Sequence, residues 1–128
     1  MEKCYCGNHI NKSNCCEPFL NGSAFPKTAE ELMRSRYSAY VTANIQYILD
    51  THHSLSRPNK EKQSILSWTK SVKWLGLKVH STKQGLIHHN QGYVHFSALF
   101  IENGSIDKIE ENSFFIKELG KWYYASRH

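Results

Sequence analysis

The sequence predicts an α+β fold in which helices come first and an antiparallel sheet follows, behind a small cysteine-rich segment. Three observations predict it. All four cysteines lie within residues 4–16. Apolar residues then recur at helical spacing, and from about residue 72 they alternate at strand spacing between turn signals. We therefore expect two units, a cysteine knuckle with its connecting loop in residues 1–25 and an α+β domain in residues 26–128.

The cysteines form two pairs, Cys4 with Cys6 and Cys15 with Cys16, separated by eight mostly polar residues. Gly7 and the asparagines of this loop tolerate positive φ, so the chain can turn and bring the pairs together. Four thiolates are a common ligand set of structural zinc, and such a closed site has no open position for catalysis. The segment has almost no core, so the metal would supply its folding energy, roughly 10–16 kcal/mol in zinc-finger peptides.

Two disulfides and four free thiols are the alternatives to a metal. A bridge between the adjacent Cys15 and Cys16 would be strained, and one between Cys4 and Cys6 is little better. The first residues run straight into the cysteines with no signal-peptide pattern. A reducing, cytoplasmic compartment is therefore expected, in which disulfides are rare.

Composition is that of an ordinary globular chain of 128 residues, 40% hydrophobic and 21% charged. No apolar run approaches the roughly 18 residues of a membrane span, so no membrane partner is expected. The formal net charge is +5, with several lysines between residues 60 and 83. We interpret this region as a solvated basic face, and a nucleic-acid partner is the less favoured alternative.

The first helix is predicted over residues 28–43, because Thr28 and Glu31 form a capping box. One face of this helix is apolar except for Arg36 in the middle of the stripe. A buried guanidinium needs a partner, and a carboxylate is expected.

Shorter segments flank this helix. Residues 17–26 are predicted to be a loop, because they contain two prolines and an Asn-Gly pair. Asn44 can cap a second, short helix over residues 45–51. A third helix begins at Pro58 or Asn59.

The strands follow from alternation and from turns, of which Asn103-Gly104 is the strongest hairpin signal. They are predicted over residues 72–80, 86–88, 92–102, 105–118 and 121–125. Two-residue turns at 103–104 and 119–120 fix the register. The resulting opposite pairs are Val94 with Ser113, Phe96 with Glu111, Ala98 with Ile109, and Phe115 with Tyr124.

One face of the predicted sheet is therefore apolar but contains Glu111, as the apolar face of the first helix contains Arg36. Because helices must cover this face of the sheet, we predict that the two charged side chains meet.

The spacing C-x-C-(x8)-C-C, with glycine after the second cysteine, resembles the SEC-C motif that is also found at the C-terminus of the SecA preprotein translocase. Asn8 and His9 depart from the usual residues of that motif, and neither is a ligand. The resemblance implies structural zinc on the four cysteines. In the translocase the similar knuckle docks a chaperone and the ribosome, so it also implies a protein or ribosome partner.

Further motifs follow in order: LMRSRYSAY at 32–40, WLGL at 74–77, E-x-S-x-F at 111–115 and WYY at 122–124. Together with the knuckle they resemble the YchJ-like bacterial family over essentially the whole chain. That resemblance implies an NTF2-like cone, with helices packed on a curved sheet. The family has no assigned activity, so the resemblance implies no particular reaction.

The cone of such a fold is expected to hold a pocket. We assign no catalytic residue, because the sequence has no nucleophile elbow and no phosphate-binding loop. The residues expected to line the pocket are Arg36, Tyr37, Tyr40, His53, Trp74, Phe96, Glu111, Ser113 and Trp122.

Two functions remain open. The favoured one is a zinc-binding adaptor that docks a protein or the ribosome through the knuckle. The alternative is an isomerase- or hydratase-like enzyme that uses the cone for a small-molecule ligand, as an analogy between folds. A filled cone with an Arg36–Glu111 pair would favour docking, and a roomy cone with Glu111 free of Arg36 would favour the enzyme.

Overall fold

The fold was described from a computed structural model covering residues 3–128. Its four antiparallel strands form one sheet in sequential order, and the helices precede it in the chain. The α+β prediction is confirmed. Short 3-10 turns lie at Lys12–Asn14 and Asn59–Glu61. The helices are α1 (Glu17–Leu20), α2 (Ala29–Val41), α3 (Ile45–Asp50) and α4 (Lys62–Ser71), and the strands are β1 (Lys73–Gln84), β2 (Gln91–Glu102), β3 (Ser105–Glu118) and β4 (Lys121–Arg127).

The predicted helix caps are present. The backbone N–H of Glu31 donates to Thr28 Oγ1 over 3.1 Å, and the Glu31 carboxylate accepts from the N–H of Lys27 over 2.8 Å. At the start of α3, Asn44 Oδ1 accepts from the N–H of Tyr47 over 3.1 Å. These side chains satisfy donors that a helix leaves unpaired at its N-terminus.

The sheet register is the predicted one. Asn103 and Gly104 both have positive φ, of 52° and 80°, as a two-residue hairpin turn requires. All four predicted pairs occur: Val94 with Ser113, Phe96 with Glu111, Ala98 with Ile109, and Phe115 with Tyr124.

The core lies between α2 and one face of the sheet. Leu32 from α2, Val94 from β2 and Phe115 from β3 have no exposed surface. Burying a side chain of this size contributes about 1.5–3 kcal/mol. Packing of α2 on the sheet therefore fixes the position of the face that carries Arg36.

Two predicted elements are wrong. The segment 17–26 is not all loop, because the N–H groups of Phe19 and Leu20 both bond to the Cys16 carbonyl and start helix α1. Pro18 lies in the first turn of α1, where a backbone N–H would have no partner within the helix and its absence costs nothing.

The other wrong element is the short strand at 86–88. These residues form the turn between β1 and β2, where the N–H of His89 donates to the Leu86 carbonyl over 2.9 Å. The Leu86 N–H in turn donates to His89 Nδ1 over 3.1 Å. Within residues 3–128, no helix combines the length and apolar character needed to cross a membrane.

Candidate functional site

The four cysteine sulfurs lie within 4.8 Å of one another, and all four thiols are free. Cys15 Sγ is 3.6 Å from Cys6 Sγ and 3.9 Å from Cys16 Sγ. A tetrahedral ion with metal–sulfur bonds of about 2.3 Å separates its sulfurs by about 3.8 Å. A disulfide would need a separation of about 2.05 Å. The spacing therefore fits a tetrathiolate site that could hold one metal ion.

The electrostatics of the cluster point the same way. A hydrogen bond from the Cys16 thiol lowers the pKa of Cys6 to about 5, against the opposing effect of burial. The pKa of Cys16 is raised, chiefly by that same hydrogen bond and then by burial, and burial raises the pKa of Cys15 to about 11. One thiolate forms readily, and the further negative charges need a cation to neutralise them.

The cysteine segment is packed on the rest of the chain. Arg34 Nη1 on α2 donates to the Cys6 carbonyl over 2.6 Å, and Cys4 Sγ lies 3.7 Å from Ser38 Oγ on the same helix. Gly7 has a φ of +86°, and a Cβ there would lie 3.0 Å from the carbonyl oxygen of Leu77 on β1. Glycine at this position therefore allows the close approach. The predicted boundary at residue 25 stays a prediction.

A cavity of about 270 Å³ lies between the helices and the sheet. That is close to the lower end of the usual range for small-molecule pockets, about 300–1,000 Å³. Most of its lining is apolar or aromatic. It is lined by Met33, Arg36, Tyr37, Tyr40, Ile48, His52, Pro58, Ile65, Trp68, Trp74, Phe96, Ala98, Ile109, Glu111, Ser113 and Tyr124.

The cavity brings together most of the predicted pocket residues, but His53 and Trp122 lie outside its lining. His53 Nε2 is 3.0 Å from a carboxylate oxygen of Glu118, which holds the ring away from the cavity. Trp122 is buried in the core, and its Nε1–H donates to the Lys27 carbonyl over 3.0 Å. Each side chain already has a structural partner elsewhere.

The predicted pair of Arg36 with Glu111 is wrong. Arg36 is 5% exposed, and its Nη1 donates to the Ile48 carbonyl over 2.8 Å and to Thr51 Oγ1 over 2.7 Å. Its guanidinium carbon also lies 4.9 Å from the ring centroid of Tyr124. The end of α3 and an aromatic ring thus satisfy the cation in place of a carboxylate.

Glu111 has different partners. Ser113 Oγ and Tyr124 Oη both donate to Glu111 Oε2, the latter over 2.9 Å. Its Oε1 lies 3.8 Å from Nε of the exposed Arg127. Burial, and then the nearby Glu111 carboxylate, raise the pKa of Tyr124, so its hydroxyl stays protonated and donates. The cavity therefore contains a fixed carboxylate that is free of Arg36.

Two further lining residues bear on chemistry, of which Trp74 was predicted to line the pocket and His52 was not. Burial and then the Arg36 charge lower the pKa of His52 to about 4, so its imidazole is neutral near pH 7. Trp74 Nε1 is buried and has no hydrogen-bond partner among residues 3–128. Buried N–H groups are rarely left unpaired, so this donor is one that a bound water or ligand could pair.

Some of these residues could have been found from the sequence. The predicted register places Tyr124 opposite Phe115, on the same face as Glu111, which was sufficient to include it. No local pattern singles out His52 over its neighbour His53, because the choice depends on how the chain leaves α3.

Comparison with known proteins agrees with this architecture. A family model described as "YchJ, middle NTF2-like domain" matches residues 28–127. A UPF0225 protein of Photorhabdus laumondii is 42% identical over 125 residues, covering 96% of this chain and 78% of the relative.

Two solved structures extend the similarity to the amino-terminal cysteine segment. A SEC-C motif containing protein from Rhodopseudomonas palustris superposes with a TM-score of 0.89 at 29% identity, covering 99% of this chain and 98% of its own. Another, from Psychrobacter arcticus, gives a TM-score of 0.84 at 26% identity, covering 98% and 81%. Together with the cysteine cluster and the helix-on-sheet cavity, these matches show that the chain belongs to the bacterial UPF0225 family, whose middle domain is the YchJ-type NTF2-like domain.

Proposed function

We propose that this protein binds a small, largely apolar molecule that carries a hydrogen-bond acceptor, and that the binding site is the cavity between the helices and the sheet. The observation that carries the proposal is the buried Trp74 N–H, which has no partner among residues 3–128. Trp74 lines the cavity, and a rotation of its ring that exposes the N–H would let a ligand carbonyl satisfy this donor. Leaving such a group unpaired costs about 1–3 kcal/mol, so the site favours an acceptor over a plain hydrocarbon.

The aromatic side of the cavity defines the shape of the ligand. Trp68 and Trp74 meet edge to face with ring centroids 5.4 Å apart, and Trp68 Nε1 already donates to Glu102 over 3.1 Å. Tyr37 and Tyr40 pack on Trp74 with ring centroids 5.8 and 5.9 Å away. Flat rings pack well on such surfaces. Aromatic or alicyclic carbonyl compounds are therefore the favoured class.

The carboxylate gives the cavity a chemical option. Glu111 lies on the sheet side, held by Ser113 and Tyr124, and does not neutralise Arg36. A carboxylate in this setting can accept a proton from a bound molecule. An isomerase- or hydratase-like reaction is the form of catalysis that this arrangement supports, with Tyr124 as a positioning residue for Glu111.

A matched pair of probes tests the binding proposal. Acetophenone and ethylbenzene have similar size, and only the first has a carbonyl. In ligand-observed NMR we expect acetophenone to bind more tightly, and Trp74→Phe to weaken it about three- to tenfold, the effect of one lost hydrogen bond. Ethylbenzene should bind wild type and variant alike. If Trp74→Phe leaves acetophenone binding unchanged, or if neither probe binds, the proposal is wrong.

We further propose that the four cysteines hold one structural zinc ion in a reducing, cytoplasmic setting. The sulfur spacing supports this ligand set. When bound, the ion would neutralise the thiolates and cross-link the two ends of the cysteine segment. Arg34 and Ser38 on α2 hold this segment against the rest of the chain.

Docking through the knuckle is a second candidate function, because one observation favours it. Tyr5 and Ile10 on the cysteine segment are 42% and 45% exposed, and Lys12 Nζ lies 5.7 Å from the Tyr5 ring centroid. An apolar and basic surface suits a ribosome or an acidic protein.

Co-sedimentation with ribosomes tests this second candidate. The double change Tyr5→Ser with Ile10→Ser should abolish co-sedimentation. The control Leu55→Ser, at a residue that is 91% exposed and lies outside the knuckle, should leave it intact. Equal behaviour of both variants, or no co-sedimentation of the wild type, would remove ribosome docking.

A further inference from the structure

We propose a second metal site on the outer face of the sheet, formed by His80, His95 and Glu110, which takes a divalent transition ion such as zinc or nickel. Two imidazoles and a carboxylate are a ligand set for such ions. This site is independent of the cysteine cluster and of the cavity.

A bulge in β1 lies beside this cluster. Val79 pairs with Phe96 and Ser81 with His95, so His80 is an extra residue between two consecutive pairs. Because Val79 lies on the inner face with Phe96, alternation places His80 on the outer face, and the bulge leaves it without a direct partner on β2. Its Nε2 lies 2.7 Å from Ser97 Oγ on the outer face of β2.

The other two ligands come from regular pairing. His95 pairs with Asn112 and Ser97 with Glu110, so His95 and Glu110 are diagonal neighbours on one face. His95 Nε2 lies 3.0 Å from Glu110 Oε2, and the rings of His80 and His95 have centroids 4.8 Å apart.

One ligand atom from each of the three residues lies within 4.8 Å of the others. Ligand atoms on one zinc ion, about 2.0–2.1 Å from it, stand closer together than that. His80 and Glu110 are exposed side chains, so small rotations close the difference without moving the backbone. Their exposure also leaves further coordination positions open to water.

The charges around the site set its strength. Hydrogen bonds from His95 and Lys108 lower the pKa of Glu110, so the carboxylate is ionised and ready to coordinate. Lys108 Nζ lies 3.2 Å from Glu110 Oε1, whereas Glu110 Oε2 faces His95. We therefore expect Oε2 to be the coordinating oxygen. The nearby ammonium repels a cation, and we expect this site to bind more weakly than the cysteine cluster.

The test uses the full chain, dialysed against a weak chelator until only the cysteine-bound metal remains, and then titrated with nickel by calorimetry. We expect one nickel ion per chain. His80→Gln and His95→Gln should each weaken binding at least tenfold. His88→Gln and His89→Gln are matched controls, because these adjacent imidazoles lie in the turn between β1 and β2 with ring centroids 4.1 Å apart. They should change the affinity less than twofold.

Cobalt absorption gives a second readout. A cobalt ion on this site should show weak visible bands without the intense near-ultraviolet sulfur-to-metal band of a thiolate site. The proposal is overturned if wild-type protein takes up no nickel beyond the cysteine-bound metal. It is also overturned if the His88 and His89 variants lose as much affinity as the His80 and His95 variants, or if the added cobalt shows the sulfur band.

Discussion

Arg36 is expected to be the most important buried charge for stability in the helical layer. Each of its hydrogen bonds, to the Ile48 carbonyl and to Thr51, comes from a charged donor and contributes about 1.5–3 kcal/mol. Replacing it by methionine removes both bonds and leaves the Ile48 carbonyl with only a 3.4 Å contact from Thr51 Oγ1. Relief of the desolvation of a buried charge offsets part of this loss. We expect Arg36→Met to lower the free energy of unfolding by about 3 kcal/mol.

Urea unfolding followed by circular dichroism measures this change. With a slope of about 1.5 kcal/mol per molar, a loss of 3 kcal/mol moves the midpoint down by about 2 M. Arg127→Met is the matched control, because that side chain is 66% exposed, and its effect should stay within about 0.5 kcal/mol. A loss below about 1 kcal/mol for Arg36→Met would refute the view that α3 has replaced a carboxylate as the partner of this cation.

Three further changes test other parts of the structure. Cys15→Ser should release the metal and broaden or shift the NMR signals of residues 3–25, while signals of the sheet persist. Gly92→Ala should destabilise by about 2 kcal/mol or more in urea unfolding, because its Cβ would overlap Gly85, whereas Gly104→Ala should cost about 1 kcal/mol, since φ is +80° but space is open. The pKa of His52 is about 6.5 in the unfolded chain and about 4 in the folded protein. As the pH falls, the unfolded chain therefore binds a proton at a higher pH than the folded protein does. Its contribution to stability is complete above pH 6.5 and is lost as the pH falls toward 4, and His52→Gln should flatten that part of the profile of urea midpoint against pH.

The sheet could be predicted in detail because its information is local. Side chains alternate with a period of two, and Asn103-Gly104 fixes one hairpin, so the pairing of Phe96 with Glu111 follows by counting. The cysteine cluster could also be predicted from the sequence, because four thiols within thirteen residues can hardly avoid lying close together in the folded chain. In both cases the residues that determine the structure are close in sequence.

The partner of Arg36 could not be read in the same way. Pattern reasoning looks for a charged side chain opposite a buried charge, but the acceptor here is a backbone carbonyl at the end of α3. Every residue has such a carbonyl, so composition gives no signal for it. The position depends on how α3 packs on α2, which is a tertiary property.

The cluster on the outer face of the sheet is an intermediate case. Alternation from Val79, which pairs with Phe96, places His80 on the outer face. The bulge then pairs Ser81 rather than His80 with His95, and nothing in the local sequence marks that shift. The face of His80 is therefore predictable from the sequence, but its exact position beside His95 is not.

Elemental analysis of freshly purified, untagged protein tests the central claim most directly, namely that a metal ion bound by four thiolates shapes the amino-terminal segment. After dialysis against a weak chelator, we predict one zinc ion per chain and four thiols that become reactive only when a strong chelator is added. Protein that contains no zinc, with its cysteines joined in disulfides, would contradict it.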